Sequence, residues 1–240
     1  MGIEDLPEIK GFLKTTLIEW EGKVASEIFL GGCNFRCGFC HSRDLVLNPE
    51  KLESIPYQDV DSFLLSKKGW IDGVVICGGE PTLCKEELIN LISRIKKISL
   101  LVKLDTNGTN PEALKTLFDM NLLDYVAMDI KAPLNQKQYS NAAGVDVDID
   151  DIIKSKDLII ASGVDYEFRT TAVPNLISIT EIEDIVKSIS PCKRYRIQQF
   201  QPKDTLDESF IKLKPLKFEL LQEMADLAKK YISDVSIKNT

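Results

Sequence analysis

The sequence predicts an α/β protein with parallel strands, and three observations carry that prediction. Short apolar runs alternate in order with longer amphipathic stretches, the pattern of β/α repeats joined by right-handed crossovers. Punctuation falls between them: Pro111 suits the first turn of a helix, Gly163 ends another helix, and Pro174 closes a strand. The 240 residues are 44% hydrophobic and 28% charged, the balance of one globular domain, with no linker or low-complexity tract.

Residues 12–30 read as two strands about a turn at Glu21-Gly22. Residues 44–56 are polar and irregular. Residues 57–66 read as a helix, 73–77 as a buried strand, and 85–97 as a helix with Leu88, Leu91, Ile92 and Ile95 on one face. A strand at 100–104, a helix at 111–120 after Asn110, a strand at 125–130 and a helix at 148–162 follow. A strand at 165–173, a helix at 180–190 and a strand at 195–200 complete six repeats. The expectation is a single domain over 1–240: a strand extension at 1–22, a core at 23–202 and a C-terminal helix at 215–233.

The net charge of −7, from 37 acidic and 30 basic residues, argues against a nucleic-acid partner, which needs a basic face. Residues 1–11 lack the basic and apolar regions of a secretory signal, and no stretch reaches transmembrane length. A cytoplasmic, reducing location without membrane attachment is expected. The six cysteines then read as metal ligands and reduced thiols, not as a disulfide framework.

The chemistry concentrates in Cys33-Asn34-Phe35-Arg36-Cys37-Gly38-Phe39-Cys40-His41, directly after an apolar run and the turn Gly31-Gly32. A C-x3-C-x2-C spacing aims three thiolates at one point and leaves a fourth position without a protein ligand. That suits an iron–sulfur cube with one open iron better than structural zinc, which takes four closed ligands. A Cys3His zinc site that includes His41, or a set of buried thiols, are the alternatives. Parallel strands present chemistry at their C-terminal ends. There stand Gly78-Gly79-Glu80-Pro81-Thr82, Asp105-Thr106-Asn107-Gly108, Asp129-Ile130-Lys131 and, on the strand at 165–173, Arg169. Taken alone, the first reads as a helix-capping turn, and Asp129 with Lys131 as an ion pair at a strand end.

The cysteine triplet, with the aromatic Phe39 before its last member, resembles the radical S-adenosylmethionine (SAM) superfamily. The segment Gly78-Gly79-Glu80-Pro81, about forty residues further on, resembles that superfamily's SAM amino-group loop. Residues 16–24, 105–108, 129–131 and Gln198-Gln199-Phe200-Gln201-Pro202 resemble the activating enzymes of glycyl radical proteins. These are relatives of the pyruvate formate-lyase activating enzyme, and the resemblance is to the anaerobic ribonucleotide reductase activating type. Members commonly carry arginine where this chain has Gln201.

The resemblance implies a partial (β/α)6 barrel. It implies a 4Fe–4S cluster held by Cys33, Cys37 and Cys40. SAM would contact Phe39, His41, Gly78, Gly79, Glu80, Thr82, Asp105, Asn107, Lys131 and Arg169. Asp105, Thr106 and Asp129 would hold a monovalent cation. No catalytic side chain beyond the cofactor ligands is implied. The implied activity is reductive cleavage of SAM and removal of a glycine Cα hydrogen from a glycyl radical enzyme, with anaerobic ribonucleotide reductase the expected partner. Flavodoxin or ferredoxin would donate the electron. The rival readings are a radical SAM enzyme acting on a small molecule or peptide, and a non-catalytic zinc or cysteine scaffold. Cys77, Cys84 and Cys192 are expected to be buried thiols outside the cluster.

Overall fold

The computed structural model describes residues 6–239; the N-terminal reading of residues 1–11 falls partly outside that range. The chain packs as two compact units. The first takes residues 1–34, 44–106 and 112–126, the second residues 35–43, 107–111 and 127–240.

In the first unit β1 (Ile9–Thr16) lies antiparallel to β2 (Ala25–Leu30). Strands β2, β3 (Gly73–Gly78) and β4 (Leu101–Thr106) then run parallel in chain order. Glu27 on β2 and Lys103 on β4 both pair with Val75 on β3. Because side chains alternate along a strand, Glu27, Cys77, Lys103 and Asp105 share one face. Toward the start of the strands that face is apolar: Trp20, Ala25 and Val75 pack with Leu101 and Tyr125.

Helices α1 (Arg43–Leu47), α2 (Tyr57–Ser66), α3 (Lys85–Lys97) and α4 (Pro111–Asp119) come between or after these strands. α3 buries Leu88, Leu91, Ile92 and Ile95, the stripe that its periodicity predicts. β5 (Tyr125–Asp129) carries the chain from the first unit into the second.

The second unit contains α5 (Gln136–Ala143), α6 (Ile149–Ala161), β6 (Asp165–Ala172), α7 (Ile179–Ile189), β7 (Arg194–Gln199), α8 (Phe218–Ala228) and β8 (Asp234–Asn239). β6, β7 and β8 are parallel neighbours. A capping box opens α7: the Ser178 hydroxyl accepts from the Thr180 N–H at 3.2 Å, and Glu181 accepts from the Ser178 N–H at 3.0 Å. No helix of the described residues is long and apolar enough to cross a membrane.

Several expectations need correction. The strand extension is β1 alone, and the residues between Thr16 and Ala25 form a turn. β4 continues to Thr106, so Asp105 and Thr106 are strand residues and not loop residues. The C-terminal helix is shorter than 215–233, and β8 follows it. β8 is tied to β7 by Arg196, whose guanidinium meets Asp234 at 2.6 Å and Glu167 of β6 at 3.5 Å. α1 and a 3-10 turn at Pro49–Lys51 occupy the stretch read as irregular.

Candidate active site

Two loops leave the C-terminal ends of β2 and β3 and lock together through their backbones. The Gly79 N–H donates to the Leu30 carbonyl (2.9 Å) and the Glu80 N–H to that of Gly32 (2.8 Å). A Cβ on Gly79 would stand 1.8 Å from the Gly32 oxygen, so only glycine permits this approach. Glu80 is 2% exposed. Its Oε1 accepts from the Thr82 N–H (3.1 Å), the Thr82 hydroxyl (2.5 Å) and the Thr106 hydroxyl on β4 (2.7 Å). Through Oε1, Glu80 braces the loop together with Thr82 and Thr106.

Asp105 meets the buried Lys103 ammonium at 3.5 Å. Lys103 also donates to the Glu19 carbonyl and lies 5.5 Å from the Tyr125 ring centroid. On the same face the Cys77 thiol donates to Glu27 at 3.0 Å. Burial pushes the Glu27 carboxyl up to about 7, although the Cys77 bond pulls the other way. Burial, then the Glu27 and Asp105 charges, raise the Cys77 thiol far above its ordinary range. Cys84 is pushed up to about 11 and Cys192 up to about 12, both chiefly by burial. Of the three thiols expected to be buried, Cys192 is buried, whereas Cys77 and Cys84 are only partly so.

In the second unit the cysteine loop is held from the helix that follows β5. The Arg36 N–H donates to the Ala143 carbonyl at the end of α5 (2.8 Å). Gly144 closes α5 at φ 70°, and a Cβ there would stand 2.2 Å from the Arg36 oxygen. Cys37 and Cys40 flank a tight turn, with the Cys40 N–H bonded to the Cys37 carbonyl at 3.0 Å.

Beside this turn lies a charged set from β5 and β6. Asp129 accepts from Lys131 at 2.6 Å and from Arg169 at 2.9 Å. Burial opposes the Asp129 charge, but the two cations outweigh it and hold the carboxyl well below its usual range. Burial likewise opposes the charge on Lys131; Asp129, then Cys37, overcome it and raise the ammonium above its ordinary value. The Lys131 ammonium stands 5.9 Å from the Phe39 ring centroid. The buried Tyr139 hydroxyl donates to the Asp129 carbonyl at 3.3 Å, and its ring meets Phe35 edge-on at 6.5 Å.

Thus Cys37, Phe39, Lys131 and Arg169, all nominated from sequence, converge with Asp129. Tyr139 joins them without having been nominated. Its helix has no long apolar stripe, and the available signals were its ends, Asn135 as N-cap and Gly144. Asn107 accepts from the Thr109 hydroxyl at 2.7 Å and is 6% exposed. The His41 Nε2 is within 2.8 Å of the Gln201 carbonyl.

None of the six cysteines is in a disulfide. Among the described residues no three His, Cys, Asp or Glu side chains are already gathered as a metal-binding set. The donors nevertheless fit an iron–sulfur cluster in kind: three soft thiols in nine residues of a glycine-bearing loop, with no carboxylate among them.

Residues 28–189 match the radical SAM superfamily, a span that includes the cysteine triplet, Gly78–Thr82, Asp105–Gly108, Asp129–Lys131 and Arg169 but not residues 16–24. The chain belongs to the radical SAM superfamily, an enzyme family whose cofactors are a 4Fe–4S cluster and SAM. Among its relatives is a protein of Methanocaldococcus jannaschii named, provisionally, as a glycyl-radical enzyme activating enzyme. The two are 38% identical over 235 residues, 96% of this chain and 95% of the relative. The pyruvate formate-lyase-activating enzyme of Clostridium pasteurianum is 27% identical over 69% of this chain and 71% of its own length. The crystal structure of SuiB from Streptococcus suis bound to SAM superposes with a TM-score of 0.67 at 19% identity, over 87% of this chain. The chain spans 48% of that structure, and the likeness shows the shared α/β fold.

Proposed function

We propose that this protein activates a glycyl radical enzyme in the cytoplasm, with anaerobic ribonucleotide reductase the expected partner and flavodoxin or ferredoxin the electron donor. The observation that carries this reading is the end-to-end similarity to the Methanocaldococcus jannaschii relative, 38% identity across 96% of the chain.

In this reading Cys33, Cys37 and Cys40 are the cluster ligands. When bound, the cluster and SAM supply a 5′-deoxyadenosyl radical able to take a glycine Cα hydrogen from the partner. The residues of the chain bind, orient and shield. Gly78 and Gly79 present backbone to the SAM amino group, while Glu80, Thr82 and Thr106 keep that loop rigid. Lys131 and Arg169 offer charge-assisted bonds to the SAM carboxylate, with Asp129 aiming both. Phe39 and His41 line the cofactor from the cysteine loop, Asp105 contacts it from the end of β4, and Asn107 from just beyond that strand. Hydrogen transfer from glycine needs proximity and orientation, not a side-chain base, in keeping with a chain that has one histidine.

The test is anaerobic reconstitution with a partner that carries α-deuterated glycine. Deuterium should pass into 5′-deoxyadenosine, and a glycine-centred EPR signal should arise on the partner. Label arriving instead from a small molecule or another residue would favour the rival radical SAM reading. Stoichiometric zinc and no SAM cleavage would favour the scaffold.

A further inference from the structure

After β7 the chain does not run directly into α8. Within the second unit, the residues that follow Gln199 return along the backbone of the cysteine loop. The Leu206 N–H donates to the Cys40 carbonyl and the Asp207 N–H to the Gly38 carbonyl, each at 2.9 Å. The Gln201 carbonyl and His41 Nε2 make a third tie at 2.8 Å. Two successive backbone donors thus hold two carbonyls that bracket Phe39, on the same turn that carries Cys37 and Cys40.

Aromatic packing closes this contact. Phe210 lies directly over Gly38, where a Cβ would stand 2.4 Å from its ring. The Phe210 centroid is 6.3 Å from that of Phe39 and 6.4 Å from that of Phe200, and Phe200 is 6.5 Å from His41. The segment also stiffens itself. Thr205 is 1% exposed and donates to the Asp207 carbonyl at 2.8 Å, and the Asp207 carboxylate accepts from the Ser209 N–H at 2.8 Å. A 3-10 turn at Phe210–Lys212 follows.

From this we infer that residues 201–213 are a clasp, with Phe210 a positioning residue that fixes the turn bearing Cys37 and Cys40 and keeps solvent from it. The inference rests on the reading of those cysteines as cluster ligands. A thiolate loop without regular secondary structure has no ladder of its own to hold its ligand spacing. The clasp supplies two backbone bonds and an apolar cover, the kind of surroundings that govern metal retention and solvent access around a site.

The experiment uses the full chain, reconstituted anaerobically with iron and sulfide and then exposed to a ferrous chelator without oxygen. Phe210→Ala should release iron about tenfold faster than wild type, the lower end of the effects seen when a ligand's supporting groups are removed. Phe210→Tyr, which keeps the ring, should stay within about twofold of wild type on the same scale. Met224→Ala, a core change in the buried face of α8, should lower the melting temperature yet leave iron release unchanged. If Phe210→Ala fails to fold, Phe210→Leu takes its place under the same criteria. Wild-type release rates in the Phe210 variant, or equal acceleration in Met224→Ala, would overturn the clasp while leaving the cluster assignment standing. A wild-type chain that takes up no iron would overturn the cluster assignment, and the clasp with it.

Discussion

Glu27 on β2 and Asp129 at the end of β5 are both carboxylates largely withdrawn from water, and they respond in opposite directions. Glu27 rises to about 7, whereas Asp129 falls well below the usual carboxylate range. Burial opposes the charge in both places and prevails at Glu27, whereas at Asp129 two cations outweigh it. What differs is whether cations are there to answer burial. Around Glu27 the named charged neighbours are the acidic Glu19 and Asp105 and one ammonium, Lys103, which is itself within 3.5 Å of Asp105. Asp129 has two cations to itself in direct hydrogen-bonded contact, at 2.6 and 2.9 Å. One site is short of positive charge and favours the proton; the other has a surplus and stays ionised. A surplus of buried positive charge is what a site for a carboxylate-bearing ligand requires.

The largest expected effect comes from breaking the cationic side of that comparison. Lys131→Met should destabilise the protein by about 1.5–3 kcal/mol, since it removes one of two cations from the half-buried Asp129 while Arg169 remains. It should also weaken SAM binding about tenfold or more, from a charge-assisted bond worth roughly 1.5–3 kcal/mol. Asp129→Asn, which keeps both cations but leaves them without their carboxylate, should also lower stability while keeping most of the SAM affinity. Denaturant titration and equilibrium SAM binding separate the two effects. If Lys131→Met loses stability but binds SAM as wild type does, Lys131 serves the ion pair at the strand end and not the ligand.

How much of this was legible in the sequence depends on the range of the interaction. The helices at Tyr57–Ser66 and Lys85–Lys97 were readable because their buried residues repeat at helical spacing. The cysteine triplet was readable because ligand spacing in one loop is local. α5 was not, because it buries Tyr139, Ala142 and Ala143 among polar residues, a face too small and too mixed to stand out. β8 escaped because six alternating residues have no meaning until Arg196 ties them to β7. The nominations of Asp129, Lys131 and Arg169 came from a family resemblance. Their mutual pairing, across forty residues for Asp129 and Arg169, belongs to the fold. Glu80 shows the converse: its motif was plain, but the bonds of its Oε1 to Thr82 and to Thr106 on β4 were not.

The second expected effect concerns the anionic side. Glu27 has a folded pKa of about 7 against an ordinary 4.5, so its protonated form favours the folded state. The stability this contributes is fully present below about pH 4.5, and it is lost as pH rises through about 7. At 1.36 kcal/mol for each unit, the loss is on the order of 3 kcal/mol. The groups facing Glu27 are Glu19 from the turn after β1, Cys77 on β3, and Lys103 and Asp105 on β4. Urea unfolding of the metal-free chain between pH 5 and pH 8 should show the decline. Glu27→Gln should flatten it and be the more stable protein at pH 8. A Glu27→Gln curve parallel to wild type would remove Glu27 from the account.

The smallest expected effect is the one that resolves the balance at Glu27 most finely. The Cys77 thiol donates to the Glu27 carboxylate at 3.0 Å and is the one hydrogen bond that lowers the Glu27 pKa against burial. Cys77→Ala removes that donor and leaves Lys103 as the group favouring the charge, so the pH at which stability is lost should move upward from about 7. The cost at pH 8, where Glu27 is charged and would lose a partner, should be about 1–3 kcal/mol, and smaller at pH 5, where a protonated carboxyl depends on the bond less. Because Cys77 lies on β3 and not in the cysteine loop, the variant should keep its full iron content after reconstitution. Cys77→Ala therefore separates two roles for a thiol in this chain. A shifted stability profile with iron retained places Cys77 in the buried polar face with Glu27. Loss of iron, or a shift of the profile toward lower pH, would show that the charge count around Glu27 has been read with the wrong partners.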